Sequence, residues 1–119
     1  MKRDFELVRK ILSEFEERDA EAKKTIAPKG YSNDEIRYHI DMMVEAGFIG
    51  MDEVFDGDRF VYSRASQLTW EGQNFLDLIR DDSQWAKIKK AVKEQGFSLT
   101  IDTIKMAASA LIKMAFNIS

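Results

Sequence analysis

At 119 residues the chain can build one hydrophobic core and is too short for two ordinary ones; its 45% hydrophobic and 33% charged residues exclude a disordered tail. It has no cysteine, which excludes a disulfide framework and cysteine-based zinc sites and fits a reducing, cytoplasmic setting. The N-terminus turns acidic at once and no run approaches the ~20 apolar residues of a membrane span, so neither a signal peptide nor membrane insertion is expected.

The net charge of −3 is unevenly spread. Between Tyr31 and Ala65 eight acids (Asp34, Glu35, Asp41, Glu45, Asp52, Glu53, Asp56, Asp58) face three arginines (Arg37, Arg59, Arg64), a local balance of −5 that leaves +2 elsewhere.

In chain order, Asp4 caps a first helix whose apolar residues Phe5, Val8, Ile11, Leu12 and Phe15 fall at helical spacing. The helix dissolves into the charged run Glu16 to Lys24, and Thr25-Ile26-Ala27 reads as a short strand before the turn Pro28-Lys29-Gly30. Ser32 and Glu35 form a capping box for a helix over Ser32 to Ala46, with Tyr31 placed to staple onto Ile36. Its buried face is Ile36, Ile40, Met43 and Val44, and Gly47 followed by Phe48 predicts a left-handed Schellman ending. Two β-rich runs, Phe48 to Phe55 and Arg59 to Ser63, flank Asp56-Gly57-Asp58 and read as a hairpin.

Thr69 caps a further helix through Asp81, with Phe75, Leu76 and Ile79 inward. Gly72 inside it costs about 1 kcal/mol relative to alanine, which points to close packing against a neighbour. Ser83 to Gln95 is another helix with Trp85, Ile88 and Val92 on one face, ended by Gly96 with Phe97 folding back, and Ser98 or Thr100 starts the last. The fold class is α+β and mostly helical: a winged-helix-like domain (helix, helix, β-hairpin wing, helix) over 1–82, then a helical extension over 83–119 packed on it as one structural unit.

Two phrases carry the winged-helix resemblance. Val44-Glu45-Ala46-Gly47-Phe48-Ile49 resembles the L-x-E-A-G-L-I ending that joins a recognition helix to the wing in many bacterial regulators. Leu68-Thr69-Trp70-Glu71-Gly72-Gln73-Asn74-Phe75-Leu76 resembles the L-T-x-x-G-x-x-x-L opening of the helix after it. Over nearly its whole length the chain also resembles a domain-of-unknown-function family of small bacterial and phage proteins. The matching phrases are Met1-Lys2-Arg3-Asp4 with Leu7 to Leu12, Tyr38-His39-Ile40, Leu68 to Gly72 and Phe75 to Asp82. That resemblance implies a prophage-like setting, no established activity and no functional residues. One departure stands out: a helix-turn-helix needs a support helix, and Arg18 to Tyr31 leaves little room for it.

A winged helix suggests DNA, read through a recognition helix carrying Arg37, Tyr38 and Asp41. Both elements that would meet the duplex are acidic, however, so the phosphate attraction that drives such binding is missing. A second surface is basic: Lys87, Lys89, Lys90 and Lys93 lie away from Trp85, Ile88 and Val92, as a nucleic-acid or acidic-protein site or as a solvated helix face. His39, the single histidine, has no cluster of ligands around it and reads as a partly buried or surface-capping residue. There is no phosphate loop, serine elbow or cysteine nucleophile, so no enzyme, cofactor or metal is expected.

The last helix is apolar around most of its circumference. Ile104, Leu111, Ile112 and Phe116 mark a candidate self-association face, because more than one side needs cover. The favoured reading is a non-enzymatic protein-interaction module, homodimeric through this helix, with a further protein partner left open. The alternative is a nucleic-acid-binding winged-helix transcriptional regulator.

Overall fold

The computed structural model describes residues 1–18 and 25–117. Its elements run α1 (Phe5–Glu17), α2 (Asn33–Glu45), β1 (Ile49–Asp56), β2 (Arg59–Leu68), α3 (Trp70–Ile79), α4 (Asp82–Glu94) and α5 (Ile101–Ala115). The chain is α+β and mostly helical, in the expected order of helix, helix, hairpin and helix, then two more helices. It forms two compact units, Met1–Leu76 and Asp77–Ser119.

In the first unit, the Asp4 carboxylate accepts the Glu6 and Leu7 N–H groups at 2.9 and 3.3 Å, satisfying donors that the first turn of α1 leaves open. The face of α1 that follows, Phe5, Leu7, Val8, Ile11, Leu12 and Phe15, is buried. α2 opens on the complete capping box: Ser32 Oγ accepts from Glu35 N at 3.1 Å, and Glu35 Oε1 accepts from Ser32 N at 3.0 Å.

The buried stripe of α2 is Ile36, His39 and Met43, whereas the expected Ile40 and Val44 are only half-buried. A polar ring can take the inner position because both its nitrogens are satisfied there. Glu16 and Glu17 complete α1. The rest of the charged run, residues 19–24, lies outside the described residues. The expected strand at Thr25-Ile26-Ala27 does not form: Ile26 and Pro28 are buried individually, and Pro28 has no N–H to give to a ladder. No support helix is present between α1 and α2 among the described residues.

α2 ends as its sequence predicts. Gly47 sits at φ +82°, its N–H reaches Val44 O at 3.0 Å and Phe48 N–H reaches Met43 O at 2.8 Å, the paired bonds of a Schellman ending. The chain then enters β1, which pairs antiparallel with β2 in a sheet of two strands. Asp56 opposes Arg59, so Gly57 and Asp58 form a two-residue loop, with Gly57 at φ +63° as in a type II′ turn. The register slips twice, between Ile49 and Met51 and between Val54 and Phe55, the second slip leaving Val61 unopposed as a bulge.

The joint between the hairpin and α3 explains the second winged-helix phrase. Thr69 N–H donates to Phe48 O, and the Thr69 hydroxyl donates to Gly47 O while accepting from Gly72 N at 3.0 Å. A Cβ on Gly72 would stand 2.0 Å from Phe48 O, so only glycine lets the helix come this close. One turn further on, Phe75 stacks on Phe48 with ring centroids 4.7 Å apart.

In the second unit, Asp81 caps α4 by accepting from Gln84 N at 2.8 Å, and Trp85, Ile88 and Val92 are buried. Gly96, at φ +78°, and Phe97 make the second Schellman pair, to Lys93 O and Val92 O, although the Phe97 ring itself stays exposed. Thr100 caps α5, which packs against α4 and buries Ile104 and Ala108.

Candidate interaction surface

The outer surface of α2 and the hairpin is where a winged helix would read DNA. Arg37 and Asp41 are exposed, and Tyr38 is half-buried with its ring edge-on to His39 at 5.2 Å. The two wing arginines stand opposite acids across the ladder, Arg59 opposite Asp56 and Arg64 opposite Asp52, so they add no net positive charge to the wing. The net negative balance of this surface is therefore a property of the folded chain as well as of the sequence.

His39 sits beneath it, 2% exposed. Nδ1 lies 2.7 Å from Glu35 O, one turn back on α2, and Nε2 accepts the Asp4 N–H at 2.8 Å. That pair of bonds uses the neutral ring with its proton on Nδ1, the tautomer its partners assign. His39 thus ties the cap of α1 to α2 and offers no free nitrogen to a metal or substrate. Close by, Glu35 is held below the ordinary carboxylate range by its hydrogen bonds from Ser32, the backbone one first. Tyr31 is pushed above its usual value, first by burial and then by the carboxylates of Asp4, Glu6 and Glu35.

Of the lysines of α4, Lys87, Lys90 and Lys93 are exposed, Lys90 lying 3.9 Å from the equally exposed Glu94, and half-buried Lys89 lies over the Trp85 ring at 5.5 Å.

The four residues marked for self-association divide in two. Ile104 is fully buried inside the chain and cannot contribute to an exposed face. Leu111 is half-buried. Ile112 and Phe116 are exposed, at 47% and 73%, and Met114 joins them at 75%. The last turn of α5 is exposed on every side, because Ala115, in line with the buried positions, is also exposed, and Lys113 is its one charged residue.

Sequence reasoning missed a second apolar surface. Met51, Phe55, Phe60, Val61 and Tyr62 of the hairpin are all exposed, as is Trp70 at 80% on the first turn of α3. The signal was present: apolar residues occupy both parities of two strands, and a two-stranded sheet has no second layer for either face.

Chemically reactive groupings are sparse. Among the described residues no three His, Cys, Asp or Glu side chains are placed to hold a metal ion, and no helix is long and apolar enough to cross a membrane. A small cavity lined by Glu14, Glu17, Arg18, Thr25 and Ile26 contains neither histidine nor cysteine.

Residues 2–98 match a protein family described as "Hypothetical protein (DUF2513)", a span that takes in α1 to α4 and stops short of α5. The chain is also 32% identical over 116 residues to an "Uncharacterized protein" of Haemophilus influenzae, an alignment covering 94% of this chain and 96% of that relative. No solved structure matches.

Proposed function

The chain belongs to the hypothetical-protein family DUF2513, and we propose that it serves there as a non-enzymatic protein-interaction module that self-associates through the end of α5. The observation that carries this reading is the exposed apolar end of α5, with Ile112 and Phe116 on one side of the helix and Met114 on another. Fully burying such a side chain contributes about 1.5–3 kcal/mol, so a surface that covers all three gains several-fold more than thermal energy. Large side chains gathered on an otherwise polar surface mark contact sites, and Phe and Met are enriched in interface cores.

In this reading the helix, helix, hairpin and helix form a winged-helix-like platform whose acidic outer face does not seek phosphate. The pairing of Arg59 and Arg64 with aspartates supports that choice over the transcriptional-regulator alternative. The absence of cysteine suits a bacterial or prophage protein working in a reducing cytoplasm, as a dimer. The test is sedimentation velocity over a wide concentration range for the wild type and for Phe116→Asp. Because Phe116 is exposed, the variant should keep its helical circular-dichroism signal while its self-association is lost. A wild type that sediments as a monomer at every concentration overturns the reading.

A further inference from the structure

The two faces of the hairpin differ in a way that the composition of β1 and β2 conceals. Side chains alternate along a strand, and residues directly opposite each other across a ladder share a face. One face therefore carries Asp52 opposite Arg64, Val54 opposite Tyr62 and Asp56 opposite Arg59. Each acid there meets a cation, and the face is neutral on its own.

The other face starts at buried Ile49 opposite half-buried Leu68, then carries Met51 opposite half-buried Ala65, Glu53 opposite Ser63 and Phe55 opposite Phe60, with Met51, Glu53, Ser63, Phe55 and Phe60 exposed. Phe55 and Phe60 meet edge to face, with centroids 5.9 Å apart. This face is an apolar strip with one carboxylate in its middle and no cation to offset it. Whatever covers it must bring apolar side chains around a single positive charge, and must bring no anion, since a buried unpaired charge is strongly destabilising.

The chain itself presents such a surface. From Lys105 to Asn117 there is no acid, and Lys113 stands between the exposed Ile112, Met114 and Phe116. The other candidates fit less well: Trp70 is followed by the acid Glu71, no cation neighbours Phe97 in sequence, the lysines of α4 surround buried apolar residues, and Met1, beside Lys2 and Arg3, is a single apolar side chain with the acid Asp4 three positions on. Two α5 ends packed on each other would join two lysines without an anion. We therefore propose that the α5 end of one copy docks on the Met51–Phe55–Phe60 face of the hairpin of a second copy, with Lys113 against Glu53. This inference rests on the self-association reading and names the surface that receives the helix.

The experiment is a charge exchange on the full chain, read by sedimentation velocity, with circular dichroism to confirm folding. Glu53→Lys and Lys113→Glu should each weaken self-association by at least about tenfold, since each sets like charges against each other. Asp52→Asn, on the opposite face, should leave it unchanged. Mixing Glu53→Lys with Lys113→Glu should restore association, because every contact between the two kinds of chain is again a pair of opposite charges. If the wild type associates but neither charge variant weakens it, the docking inference is wrong while self-association stands. If both variants weaken it and the mixture does not recover, the Glu53–Lys113 pairing is wrong. A monomeric wild type removes both.

Discussion

Gly72→Ala tests whether the hairpin joint is packed as tightly as its geometry states. Nothing in the backbone angles opposes alanine, because Gly72 is not among the glycines with positive φ. On helix propensity alone the change should stabilise α3 by about 1 kcal/mol. The structure reverses that sign. The new Cβ would lie 2.0 Å from Phe48 O, 2.8 Å from its carbonyl carbon and 3.0 Å from its Cα. The shortest of these is roughly 1.5 Å inside the ~3.5 Å optimum for non-bonded heavy atoms. The obstructing atoms are backbone and cannot turn aside as a flexible side chain would. Relief requires α3 to draw back from β1, which loosens the Thr69 N–H bond to Phe48 O and the Phe48–Phe75 stack. Overpacking costs about 1–3 kcal/mol and a lost hydrogen bond about 1 kcal/mol, so a net loss of about 1–3 kcal/mol remains after the propensity gain. For a chain of this size that is a fall of roughly 4–12 °C in melting temperature, readable by circular dichroism at 222 nm. A variant as stable as the wild type, or more stable, would refute the close approach.

Four further outcomes follow from the same structure. His39→Ala should destabilise by about 2–4 kcal/mol in urea unfolding, because it leaves a cavity and strands the Asp4 N–H, and hydrogen exchange at that amide should quicken; equal stability would show that the ring is not a strut. Glu35 has a folded pKa below its ordinary value, so its stabilising contribution is complete above the unfolded value of about 4.3 and fades as pH falls through the lowered one. Glu35→Gln should flatten that part of the acid-unfolding curve, and an unchanged curve would deny the linkage. Of the two tryptophans, Trp70 is exposed and Trp85 buried, so acrylamide should quench one fluorescence component readily; Trp70→Phe should remove that component. Random-sequence duplex DNA should bind weakly or not at all at physiological salt, and salt-sensitive sub-micromolar binding in a shift assay would contradict the electrostatic argument.

The parts of the fold that the sequence announced are those whose partners lie within a few residues. Ser32 and Glu35, Gly47 and Phe48, and the Gly57 turn each complete their hydrogen bonds locally, so the residue types suffice to place them. Gly72 was legible as an anomaly, a costly residue needing a reason, though Phe48, which supplies that reason, is 24 positions away. His39 was not legible. Its partner Asp4 lies 35 residues earlier, and spacing alone offered Ile40 the inner position. The exposed end of α5 was half legible for a related reason. A helix apolar around most of its circumference must be covered on more than one side, but periodicity does not say which stripe its own chain covers, and Ile104 proved to be on that stripe. The hairpin strip escaped because alternation presumes a buried face, and a two-stranded sheet need not have one.

The joint around Phe48 also bears on how this chain can vary. Gly47, Phe48, Thr69 and Gly72 meet through two main-chain carbonyls, and each contact presupposes the others. Residue 72 can gain a side chain only once the Phe48 carbonyl has moved, and that carbonyl is fixed by the left-handed turn at Gly47 and by the Thr69 amide. Single replacements at these positions therefore pass through poorly folded intermediates, and their effects are strongly non-additive. The outer half of the hairpin carries no such interlock. Its side chains can be exchanged one at a time while the joint that positions the hairpin is held in place.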